Sequence, residues 1–549
     1  MSSISLPRKP SLATVVRTIP VLAVMLFICF WMYSKTSSAA ESRASLHLDS
    51  VHTLNFSAVG AMPIVNTAPP EPQNLRAFQE WLSPDRFDLS GVWSLGEQDI
   101  HPPLYTTLVH VLRVSGLEFH SAFLIINLLG TILVASGVWF SCRLDKVSLA
   151  RTCLALLFVA LTPAAFAASQ EARQWVLITG LSVVSIGFLS SITVSTIRGE
   201  SVRFRIYALA VISVTGALLT ETSFVLALLA WVLVALLLSL VSERAREQMN
   251  VVFKVAVPVL LAWLVLSPGA LHHFRGATSL RSQGDSTSSL LVPRLNTEIS
   301  AWFLRRMGDL WQMGGDRRVT YALLVGSTIL LLVAQVWVVS GARRSITEIK
   351  PERKISHMFV IGLTGTAWTF IYFLLFSFEF LPTYAVGFKY VLPFGTLLLL
   401  GVYDSVLRLR FPTLGALFVA VVMVNHAAAL DLAGTGQGAI VAEMMTTDGI
   451  AVVGREWDAA NILYAINQVD PSSPPSVFYF PSPSFWRETV CEVFPENSYI
   501  AVLVERPPWG RGLSDLIKGV GFGAEAEALG QLEFGEVALL DVCPSHGDA

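Results

Sequence analysis

Two chemically capable clusters stand at the ends of one polar stretch. Leu46-His47-Leu48-Asp49-Ser50 opens it, and Asp99-Ile100-His101-Pro102-Pro103-Leu104-Tyr105 closes it. Carboxylates and imidazoles are the side chains that take a proton from an attacking hydroxyl. Further on, Ser169-Gln170-Glu171-Ala172-Arg173-Gln174-Trp175 sets a guanidinium at the mouth of an apolar run, and Phe388-Lys389-Tyr390-Val391-Leu392-Pro393 sets an ammonium at the mouth of another. Cations in such places suit a leaving group that carries away negative charge. Glu221 falls between two short apolar halves, and an acid inside a membrane marks function by default.

A second stretch points to an anion independently. Between Arg275 and Arg318 it holds seven arginines (Arg275, Arg281, Arg294, Arg305, Arg306, Arg317 and Arg318) against Asp285, Glu298, Asp309 and Asp316. Each residue singled out also has a plain structural reading. Asp49 would serve as a helix cap, His101 as a turn residue, Arg173 as a partner of Glu171 or an interfacial anchor, Glu221 as part of an exposed turn, and the arginines as binders of lipid head groups. His272-His273 has no Cys or carboxylate at metal-ligand spacing nearby.

The elements that must position these groups are mostly membrane spans. Of 549 residues, 53% are hydrophobic and 14% charged, and the mean hydropathy is +0.60; soluble chains carry about a quarter charged residues. The formal net charge of −2 gives no footprint for nucleic acid. Apolar runs at 14–33, 119–141, 152–168, 174–197, 206–220, 222–240, 255–271, 319–340, 356–378, 384–403 and 411–430 approach the length of about 20 residues that crosses a bilayer as a helix. The first run has the look of a signal peptide, with Arg8, Lys9 and Arg17 before it and Ser37 to Ala40 after; the spans behind it favour a retained first helix. Basic clusters at Arg8/Lys9/Arg17, Arg143/Lys146/Arg151, Arg198/Arg203/Arg205, Arg244/Arg246, Arg343/Arg344/Lys350/Arg353/Lys354 and Arg408/Arg410 mark the cytoplasmic loops. The intervening loops and the tail are then extracytoplasmic. Pro102 to Val114 reads as a helix short for a crossing; parity prefers that it dips in and returns, the alternative being a tilted short span that shifts the count.

Two external loops are large, 35–101 and 272–318. Phe78, Trp81, Phe87 and Trp93 among the charges of the first suggest helices lying on the membrane surface. The fold expected is an all-α polytopic membrane domain over 1–431, of about 11–13 transmembrane helices, followed by a small extracytoplasmic α/β domain over 432–549. In that tail Glu456–Gln468 and Leu513–Gly519 read as helices, and Ser476–Phe480, Tyr499–Glu505 and Glu536–Val542 as strands.

An Asp soon after the first span, an Asp-x-His-Pro-Pro-Leu-Tyr segment entering the next helix, a Gln-Glu-Ala-Arg run and a basic-Tyr pair before a late span together resemble the GT-C class of membrane glycosyltransferases. The chain is most similar to the protein O-mannosyltransferase and aminoarabinose-transferase group, from the first span to about residue 430. The resemblance implies an inverting enzyme that moves a sugar from a polyprenyl-phosphate carrier to a hydroxyl of a lipid, glycan or protein outside the cell membrane. It gives Asp49 the part of catalytic base and sets Asp99 and His101 beside the carrier head group; Arg173 and Lys389 are candidates for the donor phosphate by position, and Arg305 and Arg306 of the arginine-rich loop are further candidates for it. Glu171, Tyr105 and Tyr390 lie in the matching pieces, and Glu221 joins them as a further candidate. Two departures stand out. Ser50 replaces the Glu that usually follows the Asp, and Lys389 replaces the commoner Arg, which gives up a bidentate grip while keeping the charge.

A transporter or flippase of lipid-linked sugars is the rival reading, and an inactive relative of the enzymes is another. A transporter would show charged helices in matched halves, whereas the polar residues here gather in loops and no repeat is visible. No Asp-x-Asp ligand pair stands in the external loops, and the sequence leaves open whether a divalent cation is needed as cofactor. In an oxidising compartment Cys491 and Cys543 are expected to form a disulfide, the alternative being two buried thiols.

Overall fold

The computed structural model describes residues 12–42, 48–58, 62–98, 102–267, 355–377, 388–407, 437–469, 475–505 and 527–543, apart from short breaks within these ranges. The second large loop, the spans read at 319–340 and 411–430, and the Leu513–Gly519 helix lie outside the described residues.

The chain enters through α1 (Leu12–Ser42), which packs against later helices through Val21, Ile28 and Met32. Four short helices follow: α2 (Leu48–Ala58), α3 (Leu75–Leu82), α4 (Leu89–Gln98) and α5 (Leu104–Val114). With 11 residues, α5 rises only about 16 Å, half of a bilayer core of roughly 30 Å. It does not cross.

The bundle proper consists of α6 (Phe119–Leu144), α7 (Leu149–Ala160), α8 (Trp175–Arg198), α9 (Phe204–Thr220), α10 (Val225–Ser242), α11 (Ala245–Leu266), α12 (His357–Ser377) and α13 (Phe388–Leu407). Five helices among the described residues are long and apolar enough to cross a membrane, and the protein is a multi-pass membrane protein. Helix α8 is the central one, its span 83% buried. Membrane helices gain little from apolar burial against each other and instead approach closely at small residues. Gly180 of α8 lies so near Gly130 of α6 that a Cβ would strike the Gly130 carbonyl, and Gly362 and Gly401 let α12 and α13 touch in the same way.

At the C-terminal end of α6, Asp145 acts as a remote cap for α12. Its Oδ1 accepts from the His357 backbone N–H at 2.9 Å and lies 2.7 Å from the His357 Nδ1, and its Oδ2 accepts from the Met358 N–H at 2.8 Å. Burial alone would push this carboxyl up, but the hydrogen bonds from His357 and the two backbone donors outweigh it and hold it below its ordinary value.

Beyond α14 (Gln437–Met444) comes a five-stranded sheet in the order β2-β1-β3-β5-β4. The strands are β1 (Gly449–Val453), β2 (Ser476–Phe480), β3 (Ser498–Glu505), β4 (Glu527–Gln531) and β5 (Gly535–Val542), with α15 (Glu456–Val469) and α16 (Pro483–Val493) as crossovers. The parallel trio β2-β1-β3 continues into antiparallel β5 and β4. Alternation along each strand splits the core. Ala451, Phe478 and Val502 face α16 through Trp486 and Val490, while Ile450, Val477 and Leu503 face the other way. Cys491 of α16 is bonded to Cys543, just past β5, with Cα atoms 5.5 Å apart.

The two parts are not separate bodies. Leu54 of α2, Phe78 of α3, Val109 of α5 and Phe119 of α6 share one core with α15 and the sheet. The Gln73 N–H donates to the Val477 carbonyl at 2.8 Å, extending the β2 edge. This corrects the expectation for the first loop. Its helices exist, but Phe78 is 0% exposed and its ring and that of Trp81 pack into the core shared with the sheet domain instead of a lipid surface. The aromatic pattern signalled an apolar face without saying what covers it. Trp93 packs on the bundle, and its indole N–H donates to the Leu266 carbonyl at 3.0 Å.

Candidate functional site

Three segments meet at one place: the start of α2, the start of α5 and the turn before α8. Residues 171–174 form bends and a turn, not helix, so their backbone groups need partners from elsewhere. Ser50 provides one, its Oγ accepting from the Ala172 N–H at 2.9 Å. From α6, the Asn127 side-chain amide donates to the Ser169 carbonyl at 2.9 Å and the Glu171 carbonyl at 3.0 Å. Glu171 and Arg173 are both buried in this turn.

Pro102 and Pro103 are buried as well. The Pro103 carbonyl accepts from the Thr107 N–H and the Thr106 hydroxyl, each at 3.0 Å, which starts α5 immediately after the His-Pro-Pro piece. That start places Tyr105, 2% exposed, within electrostatic reach of both Arg173 and Glu171. Burial pushes the phenol of Tyr105 upward, with Arg173 opposing and Glu171 reinforcing. The Tyr105 phenol therefore keeps its proton, and its buried oxygen has no hydrogen-bond partner among the described residues.

Glu221 is 8% exposed, which rules out an exposed turn. Its Oε2 accepts from the Gln174 side-chain amide at 3.0 Å, and its Oε1 caps the 3-10 turn Thr222–Phe224 by accepting from the Ser223 N–H at 3.3 Å. The buried Tyr372 of α12 feels the Glu221 charge and stacks 5.3 Å from Phe394 of α13. Phe394 stands five residues beyond Lys389, about 7.5 Å along the helix.

Tyr105, Glu171 and Arg173 are thus brought together, with Glu221 attached through Gln174. Asp49 lies in the first turn of α2, and Lys389 and Tyr390 in the first turn of α13; their side chains are outside the described residues. Asp99, His101, Arg305 and Arg306 also lie outside them. Sequence reasoning passed over Ser50 as a fastener, and over Asn127, Gln174 and Tyr372. An Asn in the middle of an apolar run was a visible signal for one of them. Chemically, a buried guanidinium and a protonated phenol beside a carboxylate can grip an anion and handle a proton in one place. Among the described residues, no three His, Cys, Asp or Glu side chains gather as a metal site would require.

No family model matches this chain, and no curated protein matches it. It is similar in structure to ArnT from Cupriavidus metallidurans in the apo state, with a TM-score of 0.48 and 11% identity over 96% of this chain and 98% of that one. The same protein bound to undecaprenyl phosphate gives a TM-score of 0.46 and 11% identity, over 95% of this chain and 97% of that one. Both scores lie below 0.5 and carry no argument about what this chain does.

Proposed function

We propose that the protein is an inverting glycosyltransferase that moves a sugar from a polyprenyl-phosphate carrier to a hydroxyl acceptor at the extracytoplasmic face of the membrane. One observation carries this reading. The Asp49-Ser50 piece is hydrogen-bonded to the Gln-Glu-Ala-Arg turn through Ser50 and Ala172, and Tyr105 of the His-Pro-Pro-Leu-Tyr piece lies within electrostatic reach of Arg173 and Glu171 in the same turn. That pieces so far apart in the sequence come together supports a shared role for them.

In the proposed reaction the acceptor O–H gives its proton to Asp49. The acceptor oxygen attacks the anomeric carbon from the face opposite the carrier, and the bond from that carbon to the phosphate oxygen breaks with its electron pair. Polyprenyl phosphate leaves with an added negative charge, met by Arg173 and Lys389 and by the Tyr105 hydroxyl. Ser50 brings no second carboxylate, and its part is to seat Asp49 on the turn that carries Arg173.

The test is transfer by the purified protein in lipid nanodiscs, supplied with radiolabelled polyprenyl-phosphate sugars and total envelope lipids, glycans and protein as separate acceptors. Label moving to one acceptor class with release of polyprenyl phosphate supports the reading. Absence of transfer from every carrier, with the carrier instead exchanged across the bilayer, would replace it with transport.

A further inference from the structure

Helix α2 is only 11 residues long, too short to be stable alone, and it carries Asp49 in its first turn. Ser50 holds that end. The other end is held from α5 by two buried residues on one face, His110 and Arg113. The Arg113 guanidinium donates to the Ser57 hydroxyl at 2.7 Å and the Leu54 carbonyl at 3.3 Å, and reaches the Leu82 carbonyl as well. Leu54 and Ser57, whose hydroxyl donates to the Leu54 carbonyl at 3.1 Å, lie toward the C-terminal end of α2, and Leu82 closes α3; a cation suits the C-terminal end of a helix.

His110, 0% exposed, is more specific. Its Nε2 accepts from the Asp88 N–H at 3.1 Å, and its Nδ1 lies 2.9 Å from the Ser57 carbonyl. A backbone N–H can only donate and a carbonyl can only accept, so the tautomer is determined: bare Nε2, protonated Nδ1. One ring bridges α2 to the segment before α4, donating to the first and accepting from the second.

We infer that His110, with Arg113, is a positioning residue for the transfer reaction: it fixes the far end of α2 and thereby the reach of Asp49. The inference rests on the proposed function for its kinetic readout, but its mechanical readout does not. Asn reproduces the Nδ1 side of His and Gln the Nε2 side, so two conservative variants separate the two bonds. His110→Asn keeps the hold on α2 and releases Asp88, while His110→Gln does the reverse.

The experiment measures turnover with a polyprenyl-phosphate sugar and tryptic cleavage at Arg86, which is exposed two residues before Asp88. With full-length protein in nanodiscs, H110Q should lower kcat roughly tenfold to a hundredfold, the cost of a small misplacement of a catalytic group, with the carrier KM unchanged and cleavage at Arg86 no faster than in the wild type. H110N should hold kcat well above that of H110Q and cleave faster at Arg86. Equal losses in both variants, or a fall expressed in KM, would reduce the pair to general stability and overturn the inference. If the wild type transfers no sugar, the function reading fails; the order of cleavage at Arg86 then decides the clamp alone, and equal cleavage of the two variants rejects it.

Discussion

The Ser50 hydroxyl accepts a hydrogen bond from the Ala172 N–H across 122 positions of sequence, and Ser50 is 1% exposed. The bond fastens the first turn of α2 to the turn before α8. Ser50→Ala leaves a buried backbone donor without its partner, at about 1–3 kcal/mol, and should lower both thermal stability and transfer. Ser50→Glu, which supplies a second carboxylate beside Asp49, should be worse than Ala, because a charged side chain is costly at a buried position. Greater activity in Ser50→Glu than in wild type would show that the turn adapts and that a second carboxylate is wanted.

Asp49→Asn keeps the size and one oxygen but removes the base. Transfer should fall by about 10²–10⁴-fold while the protein still inserts and accumulates. Wild-type turnover in this variant would pass the role to Asp99.

Arg173→Ala and Lys389→Ala should each weaken use of the donor by a factor corresponding to roughly 1.5–3 kcal/mol, with acceptor KM little changed. The measurement is the donor and acceptor dependence of transfer in each variant. Unchanged kinetics in both would move the phosphate contact to Arg305 and Arg306.

In the sheet domain, burial pushes the carboxyl of Asp458 up to about 6, against the opposing pull of the Arg455 backbone N–H and charge. The unfolded value is about 3.9. A raised acid is better tolerated protonated, so its contribution to stability is full below about pH 4 and is lost as the pH rises through about 6. Asp458→Asn should flatten that slope and gain on the order of 2–3 kcal/mol at neutral pH. Thermal unfolding of the full-length protein across this pH range checks it, and a slope that survives the substitution would assign it to other groups.

Removing the Cys491–Cys543 bond, which spans 52 residues, should destabilise the sheet domain by about 2–4 kcal/mol. Cys491→Ala, Cys543→Ala and the double variant should lose the same amount in unfolding experiments, since the bond is a single constraint. A double variant much less stable than either single one would point to packing instead.

Local pattern was enough for some elements and not for others. The bundle was legible because lipid demands long apolar runs, and α9 and α10 fall where two runs flank Glu221. Strand β2, Ser-Val-Phe-Tyr-Phe, announces itself by aromatic and β-branched residues. Strand β4, Glu-Ala-Leu-Gly-Gln, has no such signature and exists because β5 pairs with it. At the site, the motif residues Glu171 and Arg173 could be named from sequence because their chemistry is visible in their type. Ser50 could not, since its departure from the familiar pattern reads as a loss until Ala172 is found opposite it. His110 and Arg113 looked like ordinary residues of a short helix; only the carbonyls they reach give them a role.

The core shared by α2, α3, α15 and the sheet also sets a timetable for biosynthesis. A chain made from its N-terminus folds its early parts first, yet α2 and α3 cannot bury Leu54 and Phe78 until α15 and the strands have been synthesised. Until then the nascent first loop presents bare apolar surface, a natural client for a chaperone. A ribosome that stops after the last membrane span would leave a chain with every crossing made and no seat for α2. Quality control that reads exposed apolar surface would therefore recognise C-terminal truncations at the first loop, far from the cut.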